Sequence, residues 1–281
     1  MKTILFAAAI AAIATPAIAR NDDPVFVESA AVKDKPTVAL DPTKAYVLLR
    51  SEVQTPMYLM KLPTSEDQAA YDRMRAEALV KAHGKYEKKL ANYERDLKAA
   101  EKAPGYRVGD KPVEPTEANF EFTPFALMAA VGIGPINRFA KQGGSTYLHE
   151  VTPGTYRVYG FLSAAPGVAA MGSCFCMGSV KFDARAGEIT DLGVIEKAEP
   201  VDRPDGDSSY PMVMTGQKLF VPAGADTPMD PRLASAKIVP ATFRAAGKMP
   251  NYFGLTITRV PDMPGVLRYD RDRIVDLAAA R

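Results

Sequence analysis

Both cysteines of the chain fall in Met171-Gly172-Ser173-Cys174-Phe175-Cys176-Met177-Gly178, a stretch holding four sulfur atoms within seven residues. Two chemistries suit that spacing. Thiolates and thioethers are the ligands a soft cation such as Cu(I) selects, which makes Cys174, Cys176, Met171 and Met177 a candidate metal set. The pair can instead close on itself, since an even cysteine count in an exported chain favours a disulfide and neither cysteine has another intrachain partner. Free thiols and intermolecular bridges are the remaining states. In a regular strand, residues i and i+2 lie about 6.6 Å apart, at the far edge of the range a disulfide tolerates. A bridge therefore needs the chain to kink at Phe175, so a turn or bulge is expected there.

Little else resembles a reaction centre. The two histidines, His83 and His149, stand apart in sequence and in no metal-ligand or acid–base spacing. Nucleophile elbow, phosphate-cradling loop, zinc-protease and dinucleotide motifs are all missing. The run Asp202-Arg203-Pro204-Asp205-Gly206-Asp207 gathers three carboxylates at an Asp-Gly turn, but not at the alternate positions that a calcium loop requires. A polar turn accounts for it. No catalytic residue and no cofactor other than the alternative Cu(I) is expected, so a non-enzymatic role is favoured.

The elements that position these residues begin with the N-terminus. Lys2, an apolar run from Ile4 to Ala14 and the small-x-small triplet Ala17-Ile18-Ala19 form a secretory signal, giving residues 1–19 as a signal peptide cleaved before Arg20. The apolar run is too short to span a bilayer, and no later segment is long enough. The mature chain is expected in the periplasm or outside the cell, with no transmembrane segment. Cleavage leaves one basic residue fewer than the 35 of the whole chain, against 33 acidic, and such a balance gives nucleic acid no electrostatic reason to bind. Residues 20–43, rich in Asp, Pro, Lys and Ala, are expected as an extended arm.

Between Thr64 and Lys102 there is no proline, and Ser65 with Gln68 suggests a capping-box start. Apolar residues recur at Tyr71, Met74, Ala78, Ala82, Tyr86, Leu90, Tyr93, Leu97 and Ala100, the period of one helix face. A single helix over 65–102 is expected, with a hairpin bending at His83-Gly84 as the alternative. Glu77 to Lys81 and Glu94 to Lys98 are spaced for i,i+4 ion pairs. Tyr71, Met74, Tyr86, Leu90, Tyr93 and Leu97 are the candidate contacts of this helix with its own domain, a second copy or a protein partner. Pro104, Gly105, Pro112 and Pro115 mark the loop that returns from it.

Short strand-like runs bounded by Gly and Pro occupy the remainder: Tyr46–Leu49 and Met57–Met60 as a strand pair, then 120–122, 146–151, 155–161, 179–182, 218–221 and 252–260. Residues 125–136 fit a buried helix or a strand pair equally. The fold class is mainly β, an antiparallel β-sandwich with a long α-helical insertion. The sandwich takes residues 44–62 and 116–281; the insertion with its Pro-rich return loop takes 63–115.

One local pattern extends this. Thr152-Pro153-Gly154-Thr155-Tyr156-Arg157-Val158, followed by Phe182-Asp183-Ala184-Arg185-Ala186-Gly187-Glu188, resembles the turns and strand edges of transthyretin-like bacterial exported sandwich proteins of unknown function. The resemblance spans about residues 145–195, implies a sandwich and brings no catalytic residues. Together these features imply an exported binding or assembly module, the alternative being copper handling or thiol redox chemistry at Cys-Phe-Cys-Met.

Overall fold

β-Branched and aromatic runs build the strands of the structure, a computed structural model that describes residues 24–51, 56–141, 144–163, 169–195, 220–221, 229–260, 262–271 and 273–279. A first sheet orders β1 (Ser29–Ala31), β5 (Ser145–Val151), β2 (Ala45–Ser51), β9 (Ile189–Ile195) and β10 (Ile238–Pro240) from edge to edge. A second orders β11 (Arg244–Gly247), β8 (Ser179–Ala184), β6 (Gly154–Ser163), β3 (Met57–Lys61) and β4 (Ala130–Ile133), with β7 (Met171–Cys174) on the far half of β6 and β12 (Thr256–Ile257) beside β7. A hairpin of β13 (Leu267–Asp270) and β14 (Arg273–Asp276) makes a third. The chain is thus mainly β, with several sheets and one long helix.

Several sequence-based expectations change. Tyr46–Leu49 and Met57–Met60 do not pair with one another: β2 lies between β5 and β9, whereas β3 lies between β6 and β4 in the other sheet. The sheets are mixed instead of purely antiparallel, because β2–β9, β9–β10 and β7–β12 run parallel. Residues 120–122 form no strand, and 252–260 contribute only the two residues of β12. The 125–136 stretch is both things in part, a single helical turn α2 (Phe125–Met128) followed by β4. Within 20–43, Ser29–Ala31 pairs with β5, and Phe26 is buried. Of 218–221, residues 218–219 lie outside the described residues, and Val221 makes only an isolated bridge to Val194.

One core joins the two larger sheets: Val47, Leu49, Tyr147 and Leu192 from the first meet Leu59, Tyr156, Val158, Val180 and Phe182 from the second. Alternation sends Tyr46 and Leu48 of β2 to the opposite side, onto Phe139, Leu148, Ile189 and Leu233, so β2 is buried on both faces. In β6 the parity breaks at a bulge. The β3–β6 register slips between Tyr58 and Leu59, so Val158 and Phe161 both face the shared core while Tyr159 and Leu162 face out. The turns Thr152-Pro153-Gly154 and Ala186-Gly187 each carry the chain from one sheet to the other.

Helix α1 (Ser65–Ala100) is continuous through Gly84, and at 36 residues it is about 54 Å long. Its cap lies one residue earlier than the sequence suggested: Thr64 Oγ1 accepts from the Asp67 amide, and the Asp67 carboxylate accepts from the Thr64 amide. Asp67 serves where Gln68 was expected because it also meets the Lys61 ammonium at the end of β3. No residue of the helix is buried. Only its first turns join a cluster, where Ala70, Tyr71 and Met74 pack on Phe26, Phe125 and Ala129. Neither Glu77 and Lys81 nor Glu94 and Lys98 form an ion pair; the exposed solvent setting rewards such a pair by only tenths of a kcal/mol.

Candidate functional site

The sulfurs of Cys174 and Cys176 lie at disulfide distance, 1.99 Å, with their Cα atoms 5.1 Å apart. Cys174 closes β7, Phe175 leaves the strand and Cys176 enters a turn, so the chain kinks where the spacing demands it. Both residues are buried, at 0% and 4% exposure. Tyr159, Leu162 and Leu255 surround them, with Met249, Tyr252 and Phe253 packed outside. Backbone bonds fix this cover: Thr258 donates its amide to the Cys174 carbonyl at 2.8 Å, and Met249 donates to that of Cys176 at 3.0 Å. Met177 donates in turn to the Thr258 carbonyl. Closed as a bridge, such a pair would offer no free thiolate to a substrate or a metal.

The four sulfurs do not converge. Met171 opens β7 three residues before Cys174, about 10 Å along the strand and on the opposite face, and it is 66% exposed. Met177 is half-buried in the turn. Among the described residues no group of three or more His, Cys, Asp or Glu side chains is placed to hold a metal ion. The Asp202–Asp207 run lies outside the described residues.

The helical candidates divide by depth. Tyr71 and Met74 sit in the root cluster, with Tyr71 5.5 Å from Phe122 and 6.0 Å from Phe125 between ring centres. Tyr86, Leu90 and Tyr93 are half-buried, and Leu97 is exposed. Two ties hold the return chain to α1. Tyr106 donates its hydroxyl to Asp96 at 3.1 Å, and Arg75 is bonded to the carboxylate and carbonyl of Glu117. Between those ties the helix advances about 32 Å, while the return chain spans the same length with eleven residues, Tyr106 to Glu117. That is about 2.9 Å per residue, close to the extension of a polyproline helix. The Pro-rich segment is therefore a strap laid antiparallel along α1. The sequence carried its signal in Pro112 and Pro115, but not its docking.

Of the histidines, His83 is half-buried on α1. His149 faces the inter-sheet core beside its register partner Val47, and neither ring nitrogen has a hydrogen-bond partner among the described residues. Burial pushes its pKa down to about 4. A neutral imidazole enclosed in this way is a packing residue with no proton partner to relay to.

No family model, curated protein or solved structure matches the chain. Among the described residues, no helix is long and apolar enough to cross a membrane.

Proposed function

We propose that the chain is an exported, non-enzymatic envelope protein, periplasmic or secreted, whose β-sandwich carries the helix and its strap as an insertion used for binding or assembly. Two sheets with a common core support the sandwich, and the passage of the chain out through Pro63 and back at Pro115 supports the insertion. The transthyretin-like resemblance of residues 145–195 belongs to the same reading. The observation that carries it is α1 itself: 36 residues with none buried, rooted through its first turns and strapped by its own return chain. A helix held in this manner spends ordered residues on reach instead of on core, which is useful to a protein that must touch a protein partner or a second copy.

The test is to replace residues 80–113 by a short Gly-Ser linker, leaving the root cluster and the Arg75–Glu117 tie in place. The shortened protein should keep its cooperative unfolding while losing self-association in light scattering, or losing whatever the mature protein captures from its native envelope. Unchanged association and capture would defeat the proposal. Export is tested separately, by N-terminal sequencing of the mature form, which should begin at Arg20. A second reading, copper handling or thiol redox chemistry, draws on the adjacency of the two sulfurs. Replacing both cysteines by serine separates the two: an assembly module continues to work, and a redox or copper protein does not.

A further inference from the structure

We propose that the flank of α1 carrying Lys81, Lys85, Lys88 and Arg95 docks on an anionic phospholipid surface. The mixed charge of the helix is unevenly spread. Between Glu77 and Glu94 it carries four lysines, Lys81, Lys85, Lys88 and Lys89, against the single carboxylate of Glu87. Three of those lysines, with Asn92 and Arg95, follow the spacing i, i+4, i+7, i+11 and i+14, which on a continuous helix is one line of side chains. All five are exposed, and the line is about 21 Å long. Arg95 donates to the Asn92 side chain along it. Its cations crowd one another: Lys81 and Lys85, Lys85 and Lys88, and Lys85 and Lys89 all stand at spacings where like charges destabilise a helix.

Carboxylates of the protein do not offset this line. Lys85, Lys88, Lys89 and Arg95 have no acid three or four residues away on either side, and only Lys81 has one within that reach, Glu77. Glu87 and Glu94 are turned roughly 120° or more around the helix from the line's mean direction. Asp96 accepts from the Tyr106 hydroxyl at 3.1 Å. Among the described residues the ion pairs of α1, Asp67 with Lys61 and Arg75 with Glu117, are both at its root. The side chains beside the cations select the partner. They are Gly84, Ala91 and Asn92, so the flank has no aromatic or branched anchor of the kind that carries a protein interface, where lysine is in any case depleted. It has no ring on which a nucleic-acid base could stack. Ammonium groups act as point charges without the geometric demand of an arginine fork, which suits a fluid layer of phosphate headgroups. Each basic residue held near such a layer raises affinity about fivefold with no insertion of apolar side chains. The inference rests on the reading of α1 as a binding arm, but not on a protein partner or a second copy.

The experiment sediments the full mature chain with vesicles of mixed phosphatidylglycerol and phosphatidylcholine and, separately, of phosphatidylcholine alone. Binding should require the anionic lipid and disappear at about 1 M salt, where screening acts within about 3 Å. The triple variant Lys81→Gln, Lys85→Gln, Lys88→Gln should partition roughly a hundredfold more weakly. Arginine at the same three positions should retain binding. Lys33→Gln, Lys35→Gln, Lys248→Gln removes the same charge from exposed sites off the arm and should change binding little. The helix-borne Gln variant keeps the whole arm and should self-associate as wild type does, so this proposal and the assembly reading fail separately. Sedimentation with neither vesicle, equal binding to both, or equal losses in the two Gln variants would overturn the proposal. Retention on polyglutamate beads without vesicle binding would overturn it too, and assign the flank to an acidic protein.

Discussion

Lys61, the last residue of β3, places its ammonium on the carboxylate of Asp67 in the first turn of α1. The side chains are only 4% and 18% exposed, and Asp67 also accepts the Thr64 amide at 2.9 Å. One carboxylate therefore caps the helix and ties it to the second sheet.

Asp67→Ala removes the reciprocal half of the capping box, leaving the Thr64 Oγ1 bond to the residue 67 amide, and strands a buried ammonium unpaired, for an expected loss of about 3 kcal/mol. Lys61→Met leaves the cap intact and should cost less. Burial raises the Asp67 pKa, but the bonds from Lys61 and Thr64 outweigh it and hold the group below its ordinary value of 3.8. Its contribution is accordingly present above pH 3.8 and lost as pH falls below it through the lower folded-state value. Denaturant titrations of both variants at neutral and acidic pH check the order and the sign.

His149 supplies a second pH dependence. Its pKa falls from 6.5 to about 4 on folding, so the unfolded chain binds more protons between those values. Stability from this group is complete above about pH 7 and drains away as pH falls toward 4, by about 3 kcal/mol in all. The difference in unfolding free energy between wild type and His149→Leu should trace that curve. A flat difference from pH 7 to 4 would show that the imidazole is hydrated in the fold.

Two glycines should respond oppositely to alanine. Gly84 has open space around its position on α1, so Gly84→Ala should stabilise the arm by about 1 kcal/mol and slow amide exchange there roughly fivefold. At Gly160, φ is +147° and an added Cβ would lie 2.2 Å from the Ser173 carbonyl oxygen across the β6–β7 pairing. Gly160→Ala should cost about 3 kcal/mol, measured by equilibrium unfolding.

The cysteine pair makes a modest prediction about stability. A bridge closing so short a loop restricts the unfolded chain little, so replacing both cysteines should cost well under the about 2–4 kcal/mol typical of disulfides. Mass spectrometry of the alkylated, non-reduced protein should find a loss of two hydrogens confined to the peptide carrying Cys174 and Cys176. Two alkylated thiols in freshly isolated protein would exclude the bridge.

The sequence by itself determined the local features. Helix α1 was legible because its apolar period, its polar N-terminal residues and the absence of proline act within a few residues of each other. The kink at Phe175 was legible for the same reason, since two residues cannot bridge along a straight strand. Strands that keep company with distant partners were legible as strands only. Nothing near Tyr46 or Met57 says that they join different sheets, and residues 252–260 look like a strand until Tyr252, Phe253 and Leu255 are taken up as the cover of the cysteines. Tertiary structure alone decided that a Pro-rich segment straps the helix, that His149 has no partner, and that Arg157, Lys181 and Arg244 stand side by side. Those relationships depend on register between strands far apart in the chain, and register is set by the packing of whole sheets, in which a slip of one residue would send every side chain to the opposite face.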